Sequence, residues 1–278
     1  MGYPGSGRKN SPAPYPGDPM EYETIQYETP GPDRVATITI DRPDAMNSFN
    51  QRMLDEFKDV WHRVNYDDDV NAIVLRAAPG RAFCTGVDVK QGYDYARQEI
   101  PFHRRDPGEW LGPKQNKLWK PVVCAVHGMA AGGAFYWINE SDIVICSEDA
   151  QFFDPHVTFG QTAACEPVGL ARRIPIGEVL RITLMGNDER VSAETALRIG
   201  LVSEIVPNDE LLKRAHEIAA IVAAKPSAAT QGSVRAIWDS LDMGLRAAQN
   251  FAMPYTQLGN PVGRIDRATA PKAKPRIR

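Results

Sequence analysis

Apolar positions along this chain repeat with two periods, and the shorter one marks a series of strands. Val122–Val126 (VVCAV) is a continuous, largely β-branched run bounded by Lys120-Pro121 and Gly128, the pattern of a strand buried on both faces. Residues 72–77, 142–146 and 201–205 read as strands too. Residues 23–28 and 34–40 read as paired strands with a turn at Pro30-Gly31. The second period is helical. Met53, Phe57, Val60, Trp61 and Val64 share one face of a helix over 51–64. Further helices are predicted at 110–118, 166–173, 177–184, 193–199, 210–224 and beyond Pro226, with Ser192 as an N-cap and Gly244 interrupting the last helical region. Strand, loop and helix recur through the first two-thirds, and the last third is nearly all helix. An α/β core with a helical C-terminal lobe follows.

Residues 1–20, rich in Pro, Gly and Ser with almost nothing to bury, are expected to be disordered. The organisation is therefore a disordered segment 1–20, a core 21–207 and a helical region 208–278. The chain of 278 residues is 43% hydrophobic and 24% charged, ordinary for a globular protein. A net charge of −3 gives no reason to expect nucleic acid or anionic membrane as a partner. No apolar run approaches the roughly 20 residues of a membrane span. The N-terminus lacks the apolar stretch of a secretory signal. Cys84, Cys124, Cys146 and Cys165 have no CxxC spacing, and three lie in apolar runs as reduced core thiols would. A cytoplasmic location is the expectation. No cluster has metal-ligand spacing, so no metal is expected.

Two glycine-bearing loops carry the candidate chemistry. Gly128, Gly132 and Gly133 follow the buried strand, and a helix opening there directs unpaired N–H groups to one place, a possible hole for an anionic oxygen. The second loop, residues 79–90 (PGRAFCTGVDVK), holds Gly86 beside Val87 and Asp88. GMAAGG lacks the spacing of a dinucleotide-binding GxGxxG, and no GK[ST] follows to make a P-loop.

Four stretches in order, RVATITIDRPDAMNSF, RAFCTGVDVK, KPVVCAVHGMAAGGAF and SDIVICSEDAQFF, resemble the crotonase superfamily, also called the enoyl-CoA hydratase/isomerase family, and MGNDERVSAETALRIGLVSEIVP extends the resemblance to Pro207. It implies a crotonase fold, a spiral of ββα units with C-terminal helices used in assembly, and a homotrimer or dimer of trimers. It also implies an acyl-CoA substrate, with coenzyme A part of the substrate and no separate cofactor, and an enolate whose thioester oxygen sits between two backbone N–H groups. By motif position those belong to Val87 and Gly133. Coenzyme A contacts are implied at Asp44, Ala45, Met46, Ala82, Asp88, Val89 and Lys90, with a solvated-loop role equally open for Lys90.

The two glutamates of the family's hydratases fall on Tyr136 and His156, and neither is a carboxylate. A phenol is no resting base, whereas imidazole serves as acid or base near neutrality. The stretch DPH resembles the β-diketone hydrolase branch, which pairs such a histidine with a carboxylate about nine residues on. Here the ninth residue is Cys165, with Glu166 next, and Asp154 is another possible orienting group. His156 is thus the leading acid/base candidate, with Tyr136 and Glu166 behind it. The alternatives are a β-diketone or thioester hydrolase using His156 and a non-catalytic protein that binds coenzyme A. His127 is expected to pack in the core or a turn, His62 and His216 lie in amphipathic helices, and His103, Arg104 and Arg105 form a basic loop.

Overall fold

The computed structural model describes residues 21–93, 105–266, 268 and 275–278; residues 1–20, His103 and Arg104 lie outside these. The strands are β1 (Ile25–Glu28), β2 (Val35–Ile40), β3 (Ala72–Ala77), β4 (Ala82–Cys84), β5 (Val122–Val126), β6 (Met129–Ala131), β7 (Ile143–Ser147), β8 (Gln151–Phe153), β9 (Val191–Ser192) and β10 (Glu204–Val206). The helices are α1 (Gln51–Tyr66), α2 (Gly108–Leu111), α3 (Phe135–Glu140), α4 (Cys165–Leu170), α5 (Ile176–Met185), α6 (Ala193–Ile199), α7 (Leu211–Ala223), α8 (Ser227–Ser240) and α9 (Leu245–Gly263).

From β3 to β8, successive strands alternate between two sheets. The larger has the order β1-β2-β3-β5-β7-β10 and the smaller β4-β6-β8-β9. Each of the pairs β3/β4, β5/β6 and β7/β8 therefore places one strand in each sheet, the repeated turn of a spiral. The larger sheet is parallel except for the β1–β2 pair, where Ile25 faces Ile40 across the predicted turn. Parallel strands covered on both faces need apolar side chains throughout. On β3, Ile73 and Leu75 enter one core with Phe57, Trp61 and Trp137, while Val74 enters a second core with Ala215 and Ala219 of α7.

Two buried polar anchors hold α1 in place. Glu56 is fully buried and accepts hydrogen bonds from Glu23 N (2.7 Å), Thr24 N (2.9 Å), Thr24 Oγ1 and Arg52 Nε (2.7 Å), which tie the helix to the start of β1. At the other end Lys120 Nζ donates to Val64 O (2.7 Å) and Asp67 O, satisfying carbonyls the helix cannot satisfy itself.

Two elements differ from expectation. In place of a helix over 110–118 there is the single turn α2, followed by turns pinned by Asn116 Nδ2, which donates to Glu109 O, Trp110 O and Gly112 O. Pro113 disfavours helical backbone at Gly112, so the helix stops there. In place of a strand over 201–205 there is β10, because Leu201 N donates to Ala196 O and completes the left-handed cap at Gly200 (φ 84°).

The α8–α9 hairpin docks on the core through Trp238 Nε1, which donates to Asp142 Oδ1 (2.7 Å), and through Arg172, which pairs with Asp242 (3.2 Å). Its outer surface keeps Leu245, Leu258 and Val262 exposed.

Candidate active site

Parallel pairing of β4 with β6 lays the two glycine loops side by side. Beyond β4, Phe49 N donates to Gly86 O (2.9 Å) and Asp88 N to Phe49 O (2.8 Å). These bonds straddle Val87, so the Val87 N–H points away from Phe49, as parallel bridging requires. Gly86 has φ 87°, and a Cβ there would stand 3.2 Å from Gly133 N, which shows how closely the loops approach. Gly133 lies in the 3-10 turn Gly132–Ala134 that leads into α3, where the first N–H groups lack intrahelical partners. A side chain at Gly133 would collide with the Phe49 ring, so only glycine fits.

The predicted proton-transfer residues gather at the same point. From where a Cβ would sit, Tyr136 Cε2 is 3.4 Å from Gly133 and His156 Cε1 is 3.6 Å from Gly132. His156 Nδ1 lies 2.6 Å from Asp154 Oδ1, and the same oxygen accepts the His156 backbone N–H at 3.0 Å. On the other side of the ring, Nε2 stands 3.8 Å from Glu166 Oε1 in the first turn of α4. Asp154 and Glu166 are buried and the His156 side chain is a quarter exposed.

The electrostatics divide these groups by role. The hydrogen bond to Asp154 raises the His156 pKa above its ordinary value; burial opposes this, and the charges of Asp154 and Glu166 add to it. Burial raises Glu166 above the usual carboxylate range, with the Asp154 and Asp106 charges pushing the same way. Burial, then the charges of Glu166 and Asp106, push Tyr136 far above an ordinary phenol. Its hydroxyl donates to Asp106 Oδ2 (2.8 Å). Burial and a hydrogen bond to Asp106 push the Cys165 thiol up to about 12, although the residue as a whole is exposed.

Asp106 was not legible as a site residue. It sits in a polar stretch with no motif, 30 positions before Tyr136, and only the packing of α2 on α3 brings the two together. Gly108 permits that approach, since a Cβ there would stand 2.7 Å from Tyr136 Cδ1.

The residues implied in coenzyme A contact lie on two neighbouring loops, and not all of them reach the surface. Asp44 and Ala45 lie in the turn Pro43–Ala45, and Met46 caps it with φ 53°. Asn47 Nδ2 donates to Ala82 O (2.8 Å), and Arg42 pairs with Asp88 (2.9 Å), which joins this loop to residues 82–90. Asp88 is buried and also accepts from Lys90 N and Gln91 N. Burial would raise its pKa, but these bonds and Arg42 hold it below the usual carboxylate range. Its side chain therefore builds the loop. Val89 is 89% exposed and Lys90 is exposed, while Ala82 is buried.

The remaining histidines divide as well. His127 is buried, as expected, with Nε2 lacking a partner among the described residues, and His216 Nε2 lies 3.2 Å from Thr37 Oγ1. Arg105 stacks over Trp110 and pairs with Glu109 at 3.9 Å. Among the described residues no group of His, Cys, Asp and Glu could hold a metal ion, and no helix is long and apolar enough to cross a membrane.

Residues 31–254 match the family model described as enoyl-CoA hydratase/isomerase. The (E)-benzylidenesuccinyl-CoA hydratase of Thauera aromatica is 33% identical over 212 residues, 76% of this chain and 81% of that protein. The short-chain-enoyl-CoA hydratase of Clostridium acetobutylicum is 31% identical over 239 residues, covering 84% of this chain and 87% of its own. A crystal structure of an enoyl-CoA hydratase/isomerase from Mycobacterium paratuberculosis superimposes with a TM-score of 0.78 at 39% identity, over 85% of this chain and 90% of that one.

Proposed function

The chain belongs to the enoyl-CoA hydratase/isomerase family, and from that premise we propose that it adds water to an enoyl-CoA thioester with His156 and Glu166 in place of the family's two glutamates. The observation that carries this is the pair itself. His156 Nε2 faces Glu166 Oε1 at 3.8 Å, while Nδ1 is held by Asp154. Two groups with different affinities for one proton are what an addition across a double bond needs.

The thioester oxygen lies between the N–H groups of Val87 and Gly133. The Glu166 carboxylate takes a proton from water as the water oxygen bonds to the β-carbon. The double-bond electrons move onto the thioester oxygen, and the two fixed donors stabilise that charge by about 3–4 kcal/mol each. The His156 imidazolium, held by Asp154, then gives its proton to the α-carbon, and the proton Glu166 took from water restores the pair. Tyr136 is a wall of the pocket, because its hydroxyl is already committed to Asp106. The loops at 44–46 and 82–90 receive coenzyme A, and the reading calls for no group beyond the substrate's own coenzyme.

A second reading has its own observation. Asp154 holds the imidazole as an orienting carboxylate would hold a general base for hydrolysis, so the same His156 could direct water at a carbonyl and split a carbon–carbon or carbon–sulfur bond. Loss of the enoyl absorbance of crotonyl-CoA, measured alongside release of free coenzyme A, separates the two. Hydration at an enzymatic rate that survives His156→Ala would sink both assignments.

Assembly as a homotrimer or a dimer of trimers completes the reading. Exposed Ile176, Leu180 and Leu184 on α5 and Leu258 and Val262 on α9 support it, since apolar surface of this kind suits subunit contact. Light scattering after size exclusion tests it, and a monomer at micromolar concentration would refute it.

A further inference from the structure

We propose that Asp106 is a positioning residue for Glu166, tying down the turn that carries it and setting a fixed negative charge within reach of its carboxylate. The proposal rests on the hydration reading above and names what makes Glu166 a working base within it.

Asp106 stands just ahead of α2 and joins that turn to α3 and α4. Its Oδ1 accepts from Gly108 N at 2.9 Å, and its Oδ2 accepts from Tyr136 Oη of α3 at 2.8 Å. The Cys165 thiol, at the first position of α4, also hydrogen-bonds to Asp106. Glu166 is the next residue, and Asn139 Nδ2 of α3 donates to its backbone O at 2.8 Å. The first turn of α4 is therefore fastened to α3 twice, once directly and once through Asp106 and Tyr136. The turn that leads into α3 carries Gly133, so the base and the oxyanion donor share one support.

Charge is the second part of the role. A carboxylate in water is a weak base near neutrality, and a base works best when its affinity for a proton matches the working pH. Burial gives Glu166 part of that affinity. Its own N–H and His156 favour the carboxylate, while Asp154 and Asp106 oppose it. Asp154 lies 2.6 Å from His156 Nδ1, so the imidazolium offsets it whenever His156 carries its proton. Asp106 has no cation of its own among the described residues. Its partners there are neutral donors. Burial and then the nearby carboxylates push the Tyr136 phenol far up, and burial with the bond to Asp106 pushes the Cys165 thiol up to about 12. Charged groups on the neighbouring segments are engaged elsewhere. Arg105 pairs with Glu109, Arg172 with Asp242, Arg181 with Glu189 and Arg198 with Glu178, while Arg173 donates to Asn139 O and Ser141 O.

The test titrates Glu166 directly in the full chain, by the infrared band of its protonated carboxyl, identified through its loss in Glu166→Gln. In Asp106→Asn, which keeps the shape and one acceptor but not the charge, the band should vanish at lower pH than in the parent chain. The acid limb of crotonyl-CoA hydration should move the same way. There kcat should fall by about tenfold with KM little changed, short of the ~10²–10⁴ lost with the base itself. Asp106→Ser, whose hydroxyl still accepts from Gly108 N, should shift both readouts in the same direction and serves if Asp106→Asn does not fold. Tyr136→Phe keeps the charge, so neither readout should move to lower pH. A Glu166 titration that stays in place in the Asp106 variants, or an equal downward move in Tyr136→Phe, would overturn the proposal. If the titration moves while the parent chain hydrates no enoyl-CoA, the hydration reading falls and the hold of Asp106 on Glu166 stands.

Discussion

His156 Nδ1 and Asp154 Oδ1 lie 2.6 Å apart, and the two residues are joined a second time through the His156 backbone N–H. The imidazole is thereby fixed in direction, with Nε2 turned to Glu166. Charge matters as much as geometry. Asp154 favours the imidazolium, so His156 holds its proton to a pH above its ordinary value of 6.5. Burial makes Glu166 also hold its proton above 4.5. In the proposed mechanism the pair works with one proton between them, and its two transitions belong to the pair as a whole.

Activity is therefore expected to follow a bell. Below the lower transition both groups are protonated and no base remains; above the upper one both are deprotonated and no acid remains. In Asp154→Asn the imidazolium loses its partner, so the alkaline limb should move to lower pH and kcat should fall by about a hundredfold or more. A pH–rate profile of crotonyl-CoA hydration in both proteins checks this. An unmoved alkaline limb would remove Asp154 from the mechanism.

Tyr136→Phe should be mild. The phenol donates to Asp106 and is held protonated by burial and by the nearby carboxylates. Its removal is expected to change kcat by less than about tenfold, against the ~10²–10⁴ lost with a general acid or base. Steady-state kinetics beside His156→Ala decide the matter, and equal losses in the two variants would make Tyr136 a proton carrier.

Gly133→Ala tests the tightness of the frame. The added methyl meets the Phe49 ring, so we expect a loss of about 1–3 kcal/mol in stability by overpacking, together with weakened acyl-CoA binding. Phe49→Leu removes the ring atoms in its way and should return part of that stability. Thermal melts of the single and double variants measure it; no recovery would locate the strain elsewhere.

Glu56→Ala should be among the most damaging changes remote from the site. It strands three donors of residues 23 and 24 and removes one partner of the part-exposed Arg52, at a cost of about 1–3 kcal/mol for each donor left buried without an acceptor. Glu56→Gln keeps a carbonyl acceptor and should cost less. Urea unfolding gives both values, and a neutral Glu56→Ala would mean that water replaces the carboxylate.

What could be read in the sequence was whatever depends on neighbours along the chain. Val122–Val126 announced a buried strand because parallel strands covered on both faces tolerate little else, and helix α1 announced itself by the spacing of Phe57, Val60, Trp61 and Val64. Glu56 was hidden within that same helix, since its partners lie 32 and 33 positions away. The site divides in the same manner. Gly133 and His156 belong to motifs, and Asp154 is two positions from the histidine it orients. Asp106 belongs to none. It reaches Tyr136 only through the packing of a loop and a single helical turn. The end of helix α2 was misread because the expected helix over 110–118 ran through Gly112-Pro113, a local stop signal.

The close approach of Gly86 to Gly133 sets the two N–H groups by main chain alone, through strand pairing and the exclusion of side chains. Such a frame is indifferent to what the surrounding side chains are. Evolution can then exchange the residues at 136, 156 and 166 without rebuilding the part that activates the substrate. For this chain, substrate searches do best to keep the coenzyme constant and vary the acyl group, because the variable half of the site is where its individuality lies.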